Sequence, residues 1–190
     1  MRYRPILYVL IAIASITGPL LAQKDMKPPE TFVANAQALG PKVGAAAEVT
    51  VQIDQYTSDI NRNVILEALR TGGFPSFLPA LRGAPQVGYV EMAGRKVAVR
   101  WARQEATSKG RTITIVTESP LLFLGGASVD AKPRKGFDVA VIRMDVDSIG
   151  LGTGSMAAAA RVTPGGVTGV KVDDYSDTPI TLATVRKLYR

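Results

Sequence analysis

The chain contains neither cysteine nor histidine. Without thiols there is no disulfide, no thiolate nucleophile and no thiolate metal site. Without imidazole there is no Ser-His-Asp relay, no neutral-pH imidazole base and almost no zinc or other transition-metal centre. Any catalysis would fall to carboxylates, Lys, Tyr, Ser or Thr. Aromatic residues make up only 6% of the chain, and Trp101 is the single tryptophan, so few surfaces can stack sugars or bases. Beyond the N-terminal stretch no apolar run approaches the ~20 residues that a helix needs to cross a bilayer. What is present is a 46% hydrophobic composition over 190 residues, which suits one domain with a real core and is too apolar for general disorder. The formal net charge of +7 includes Arg2 and Arg4. The rest is spread along the chain and implies modest attraction to acidic surfaces.

Residues 1–22 read as a secretory signal. Arg2 and Arg4 form its positive start, residues 6–16 its apolar stretch, and Ser15, Thr17, Gly18 and Pro19 break that stretch before Ala22. Cleavage is expected after Ala22, with Leu20 a larger residue than usual at the minus-three position. The protein is therefore expected to be exported, periplasmic or extracellular, with no membrane span once the segment is removed. Residues 23–47 carry Pro28-Pro29 and Gly40-Pro41 and no sustained period, which predicts a flexible leader with room for a short helix over 31–39.

Residues 48–190 read as a single β-rich domain. Val49, Val51 and Ile53 alternate with Thr50, Gln52 and Asp54, the pattern of a half-buried strand. Thr57, Ser58 or Asp59 can cap a helix over 59–70, whose stripe is Ile60, Val64 and Ala68 with Ile65 and Leu69 beside it. Gly72-Gly73 stops that helix, and a second follows over 76–81 with Phe77, Leu78 and Leu81 inward, making a helix-turn-helix segment after the first strand. Strands are then expected over 87–92, 96–103, 111–117, 121–124, 137–146, 155–162, 169–175 and 180–186, separated by glycine-rich turns and by a basic loop holding Lys132, Arg134 and Lys135. The fold class is mainly β (α+β), an antiparallel meander of about 7–9 strands forming a barrel or sandwich. Residues 51–59 are echoed by 170–177 in their alternation, their Asp-x-Tyr and their polar exit. The two strands are expected to be neighbours that close the sheet and remove its bare edges.

Tyr56 with its following helix, the Pro85-Gln86-Val87-Gly88-Tyr89 step into the hairpin, and Asp174-Tyr175 through Pro179-Ile180-Thr181-Leu182 together resemble a family of small exported bacterial proteins with no assigned activity. The resemblance spans about residues 49–187. It implies export and one mixed, mostly β domain, and it brings no catalytic residues.

Four patterns invite a chemical reading. Gly152-Thr153-Gly154-Ser155-Met156-Ala157 satisfies G-x-G-x-x-A, with Asp173 about 20 residues on. The following segment meets Pro164-Gly165-Gly166 too soon for the helix of a dinucleotide fold, so a glycine-rich hairpin with an alanine-rich second strand is the better reading, and no cofactor is expected. Asp145-Val146-Asp147-Ser148-Ile149-Gly150 begins like a calcium loop, but Ile149 and Met156 stand where ligands should be; aspartates capping a turn account for it. Asp54, Asp59, Asp173, Asp174 and Asp177 are the densest carboxylates, and turn capping explains them more simply than a glycosidase pair. Lys96, Arg100 and Arg103 flank Trp101, and Lys109 and Arg111 add charge. Nucleic acid is an improbable partner for an exported protein, which leaves an anionic envelope component or solvated strand faces.

The leading expectation is a non-enzymatic binding protein whose barrel holds a small apolar or amphipathic ligand. The alternatives are an envelope interaction or structural protein acting through its surface, and a carboxylate-dependent hydrolase. Tyr56, Arg100, Trp101, Arg103, Asp173 and Tyr175 are the candidate ligand or surface residues; no catalytic or metal-ligating residue is expected.

Overall fold

A computed structural model describes residues 27–37, 46–121, 135–165, 170–175 and 180–189. The expected signal segment, Lys132 and Arg134 of the basic loop, Asp177, Pro179 and most of the expected 121–124 strand lie outside the described residues.

Among the described residues nine strands and one helix follow one another as β1 (Glu30–Gln37), β2 (Ala46–Ile53), α1 (Asp59–Gly83), β3 (Gly88–Met92), β4 (Arg95–Thr107), β5 (Gly110–Thr117), β6 (Val139–Val146), β7 (Leu151–Pro164), β8 (Val170–Asp174) and β9 (Ile180–Leu188). Strands β1 to β7 pair in antiparallel succession. β7 then pairs with β9, and β9 with β1, closing an eight-stranded antiparallel barrel. The ninth strand, β8, shares an edge of β7 with β9. β9 covers the first half of β7 from Leu151 to Met156, and β8 covers the second from Ala160 to Pro164. The two therefore lie end to end, extending β7 beyond the barrel wall as a two-stranded flap.

The lumen is full. Phe32, Ile53, Ile113, Ile115, Ile142, Met144, Met156 and Leu182 belong to one buried cluster fed by every strand of the barrel. Eight strands leave an interior just wide enough for side chains to fill. The alternation is clean on β5 and β6: Ile113, Ile115, Ile142 and Met144 point in, while Thr112, Thr114, Val141 and Arg143 point out. On β7 a bulge opposite the step from Val139 to Val141 breaks it. Met156 and Ala158 face the lumen, but Ala157 and Ala160 face outward. Met156 and Ala158 on one side and Ala160 on the other are thereby divided between two cores.

The second core lies outside the barrel. Ile65, Leu66, Leu69, Phe77 and Leu81 of α1 pack on Trp101, Val116, Val139, Ala157, Ala160 and Val162. Alanines at the contact let the helix approach the sheet closely. Ser58 caps the helix, its hydroxyl accepting from Asn61 N–H at 3.3 Å. The face differs from the expected one: Ile60 and Val64 are 77% and 59% exposed, while Ile65 and Leu69 are buried as expected and Leu66 joins them. The helix-turn-helix segment is also corrected. α1 is one element kinked at Gly73, whose φ of 62° and ψ of −157° are not helical. Glycine takes that positive φ without steric cost, and Pro75 is tolerated because it begins the second helical stretch, where its missing N–H has no intrahelical acceptor.

Two further expectations fall to β1. Residues 30–37 are a strand, not leader or helix, and closure runs through β1 and β9. The echo strands are not neighbours: β2 lies between β1 and β3, and β8 pairs with β7. The echoed pattern does not report a shared setting, since the second half of β2 is buried and β8 holds no buried residue; the pairing is decided by β1, whose Phe32, Ala34 and Ala36 supply the missing inward row.

Candidate functional site

Two sites concentrate chemistry. The first is a polar cluster inside the barrel. The Glu30 side chain is fully buried (0% exposed) and Arg111 nearly so (4%). Arg111 Nη2 donates to Glu30 Oε1 at 2.6 Å and Nη1 donates to Oε2 at 3.0 Å, a forked pair. Tyr56 O–H donates to Glu30 Oε2 at 2.6 Å, Lys187 Nζ lies 3.0 Å from Oε1, and Gln104 Oε1 accepts from Arg111 at 2.6 Å. Burial alone would raise the Glu30 carboxyl, but hydrogen bonds from Arg111, Tyr56 and Lys187 outweigh it and hold the group below its ordinary value. Burial, then the Glu30 carboxylate, push the Tyr56 phenol well above its ordinary value. Both oxygens of Glu30 are taken up by the groups around it inside the barrel, so the cluster is structural.

The second site is a cavity of about 400 Å³ between α1, the outer face of β4 to β7, and β8. Its floor follows from strand register. Trp101, Val116, Val141 and Ala157 stand side by side on β4, β5, β6 and β7. The next outward-facing row is Arg103, Thr114, Arg143 and Ser155, and the row after that is Glu105, Thr112, Asp145 and Thr153. The floor is thus graded from apolar through basic to acidic along the strands. Leu66 and Phe77 of α1 cover the apolar row, Arg62 comes from the same helix, and Val170, Val172 and Asp174 of β8 form the far wall.

The cavity's charges are loosely held. Arg103 Nε lies 3.2 Å from Glu105 Oε1 and Arg143 Nε lies 3.7 Å from Asp145 Oδ2, with all four side chains at least partly exposed. Arg103 Nε is itself buried and makes no hydrogen bond, so its approach to Glu105 is an ion pair without hydrogen-bond geometry. Asp145 also accepts from the Thr112 hydroxyl.

Of the residues singled out in the sequence, Trp101 and Arg103 meet here. Arg100 does not: it donates to Glu118 Oε2 at 2.8 Å and to the Ala84 carbonyl at 2.9 Å, tying β4 to the end of α1. Tyr56 is half-buried, and its hydroxyl is engaged by Glu30 of the buried cluster. Asp173 pairs with Lys171 at 3.2 Å and Arg161 at 3.5 Å, and Tyr175 packs edge-on against Phe137 at 5.6 Å. Asp54 follows β2 and Asp173 lies on β8, and these two strands are not neighbours in the sheet. Asp147 Oδ1 accepts from the N–H groups of Ile149 and Leu151, both at 2.9 Å, as the turn reading expects.

The Gly152-x-Gly154 motif lies in a β-strand, not at a helix start. A Cβ on Gly152 would fall inside the Asp145 carbonyl oxygen of β6, so the glycine serves close strand approach. Leu66, Arg62, Arg143, Thr114 and Ser155 were missed. Val-x-Arg-x-Asp on β6 repeats Trp-x-Arg-x-Glu on β4, but only register sets Arg143, Thr114 and Ser155 in one row with Arg103.

No family model, curated protein or solved structure matches the chain. Among the described residues no group of acidic side chains could hold a metal ion, and no helix is long and apolar enough to cross a membrane.

Proposed function

We propose that the chain is an exported, non-enzymatic binding protein that holds one small amphipathic molecule between α1 and the outer wall of its barrel. The graded floor carries this reading: an apolar row sits beneath the helix, and a row of arginine and hydroxyl side chains follows it at the next outward-facing position. A cavity of about 400 Å³ is at the lower end of the range for small-molecule sites, and such sites combine apolar walls with a few placed polar groups. At roughly 30 Å³ per water-sized group, the space accommodates on the order of a dozen heavy-atom groups. The expected lumenal site gives way to this one because the lumen is occupied by side chains. Glu30 and Tyr56 are committed inside the barrel and Asp147 to a turn, which supports binding over chemistry.

Export rests on residues 1–22, whose positive start, apolar stretch and small-residue exit read as a secretory signal. N-terminal sequencing of secreted material should begin near Gln23; a retained Met1 in the membrane fraction would sink that part.

Trp101 is the one tryptophan and lines the cavity, so intrinsic fluorescence reads the site directly. Titration with decanoate, decanol and an uncharged detergent monomer should shift its emission saturably. Ser155→Phe, which adds a ring at an exposed cavity position, should weaken every such response at least ten-fold. Saturable binding unaffected by Ser155→Phe would remove the cavity from consideration.

A further inference from the structure

We infer that the ligand of this cavity carries a compact anionic head, of which a carboxylate is the simplest case, with its apolar body lying beneath α1; the inference rests on the cavity being the binding site. Arg103 and Arg143 both stand opposite Thr114, one from each neighbouring strand, so two guanidinium groups flank a single position on the floor. Arg62 approaches the same space from the helix, and among the described residues it has no ion-pair partner. Three cations from three elements therefore converge where the apolar row ends. Their own carboxylates compete weakly. Glu105 and Asp145 lie one row farther from the helix, Asp145 reaches Arg143 only at 3.7 Å, and exposed pairs of this kind contribute little to stability.

An unused donor strengthens the argument. Arg103 Nε is shielded from solvent and makes no hydrogen bond, a condition that an incoming acceptor would relieve. Guanidinium forks match carboxylate geometry, and the Thr114 and Ser155 hydroxyls add donors in the same row. The opposite orientation is disfavoured, since an anionic head under α1 would face Leu66, Phe77 and Val116. A cationic head has only Glu105 and Asp174 to recommend it, and the arginines stand nearer the apolar row than Glu105 does. The register thus sets both the sign of the head and the direction of the chain.

The test compares decanoate, decanol and decyltrimethylammonium, three probes with one tail and different heads, by Trp101 fluorescence at low salt. Decanoate should bind at least ten-fold tighter than decanol, with the ammonium weakest. The preference should shrink as salt is raised, because exposed charges are screened. Arg103→Gln with Arg143→Gln should bring decanoate to within about three-fold of decanol, while the thermal midpoint stays near that of the parent. Equal binding of decanoate and decanol to the parent, both lost in Ser155→Phe, would overturn the anionic head and leave the cavity reading standing. Saturation by none of the three would overturn both. Tightest binding of the ammonium would reverse the assigned sign.

Discussion

Glu30 and Arg111 are 81 positions apart in the chain and share two hydrogen bonds, of 2.6 and 3.0 Å, inside the barrel. The pair links β1, the first strand, to β5 on the far side of the eight-strand circuit, and Lys187 adds β9. Removing one partner leaves the other charged in a closed lumen, at a cost of about 3–5 kcal/mol. Glu30→Ala and Arg111→Ala should each lower the urea-unfolding free energy by that amount, and the double variant should fall short of their sum. Losses near zero would show that the cluster is hydrated, contrary to its burial.

Acid should act through the same carboxyl. The folded value of Glu30 lies below its ordinary one, so its contribution is fully present above about pH 4.3 and is lost as pH falls through the folded value. Tyr56 is shifted the other way. Its contribution is full below about pH 10 and is lost as pH rises from there, because the unfolded chain ionises first. Urea midpoints measured across pH should therefore form a plateau with two falling limbs. Glu30→Gln should flatten the acid limb, and an unchanged acid slope in that variant would contradict the assignment.

The face of α1 is open to a direct comparison. Leu69→Lys puts an ammonium against Trp101 and the β6–β7 wall and should cost several kcal/mol. Val64→Lys sits at an exposed position and should change stability by less than about 0.5 kcal/mol. Similar losses for the two would place the wrong face on the sheet.

Much of the barrel could be read from the strands because one of their faces is buried and the other is not. β5 and β6 alternate without interruption, and their limits were within a residue or two. β1 escaped detection since Glu30-Thr31-Phe32-Val33-Ala34-Asn35 puts a charge and small residues where alternation is sought, and that charge is inward because Arg111 neutralises it 81 positions later. Long-range pairing of this kind leaves no local mark. The helix face failed for a related reason. Ile60, Val64 and Ala68 keep a good four-residue spacing, but the wall they would need is reached by Ile65, Leu66 and Leu69 instead. Trp101 and Arg103, singled out in the sequence as an aromatic residue and a basic one flanking it, both line the outer cavity. Arg143, Thr114 and Ser155 became visible only when register set them in one row.

Close approach of β6 and β7 gives a prediction about the glycine motif. Gly152→Val would force a side chain into the Asp145 carbonyl and should destabilise the barrel by roughly 1–3 kcal/mol, while leaving any nucleotide affinity at background. A neutral effect, read from the urea midpoint, would mean that the strands have room to separate.

The most direct test of where a ligand sits is a set of intermolecular nuclear Overhauser effects from the chain of bound decanoate at saturation. The account predicts cross-peaks to the Trp101 indole and to the methyl groups of Val116, Val141 and Ala157, which floor the outer cavity. Cross-peaks to the methyl groups of Ile113, Ile142 and Met144, which fill the lumen, would contradict it.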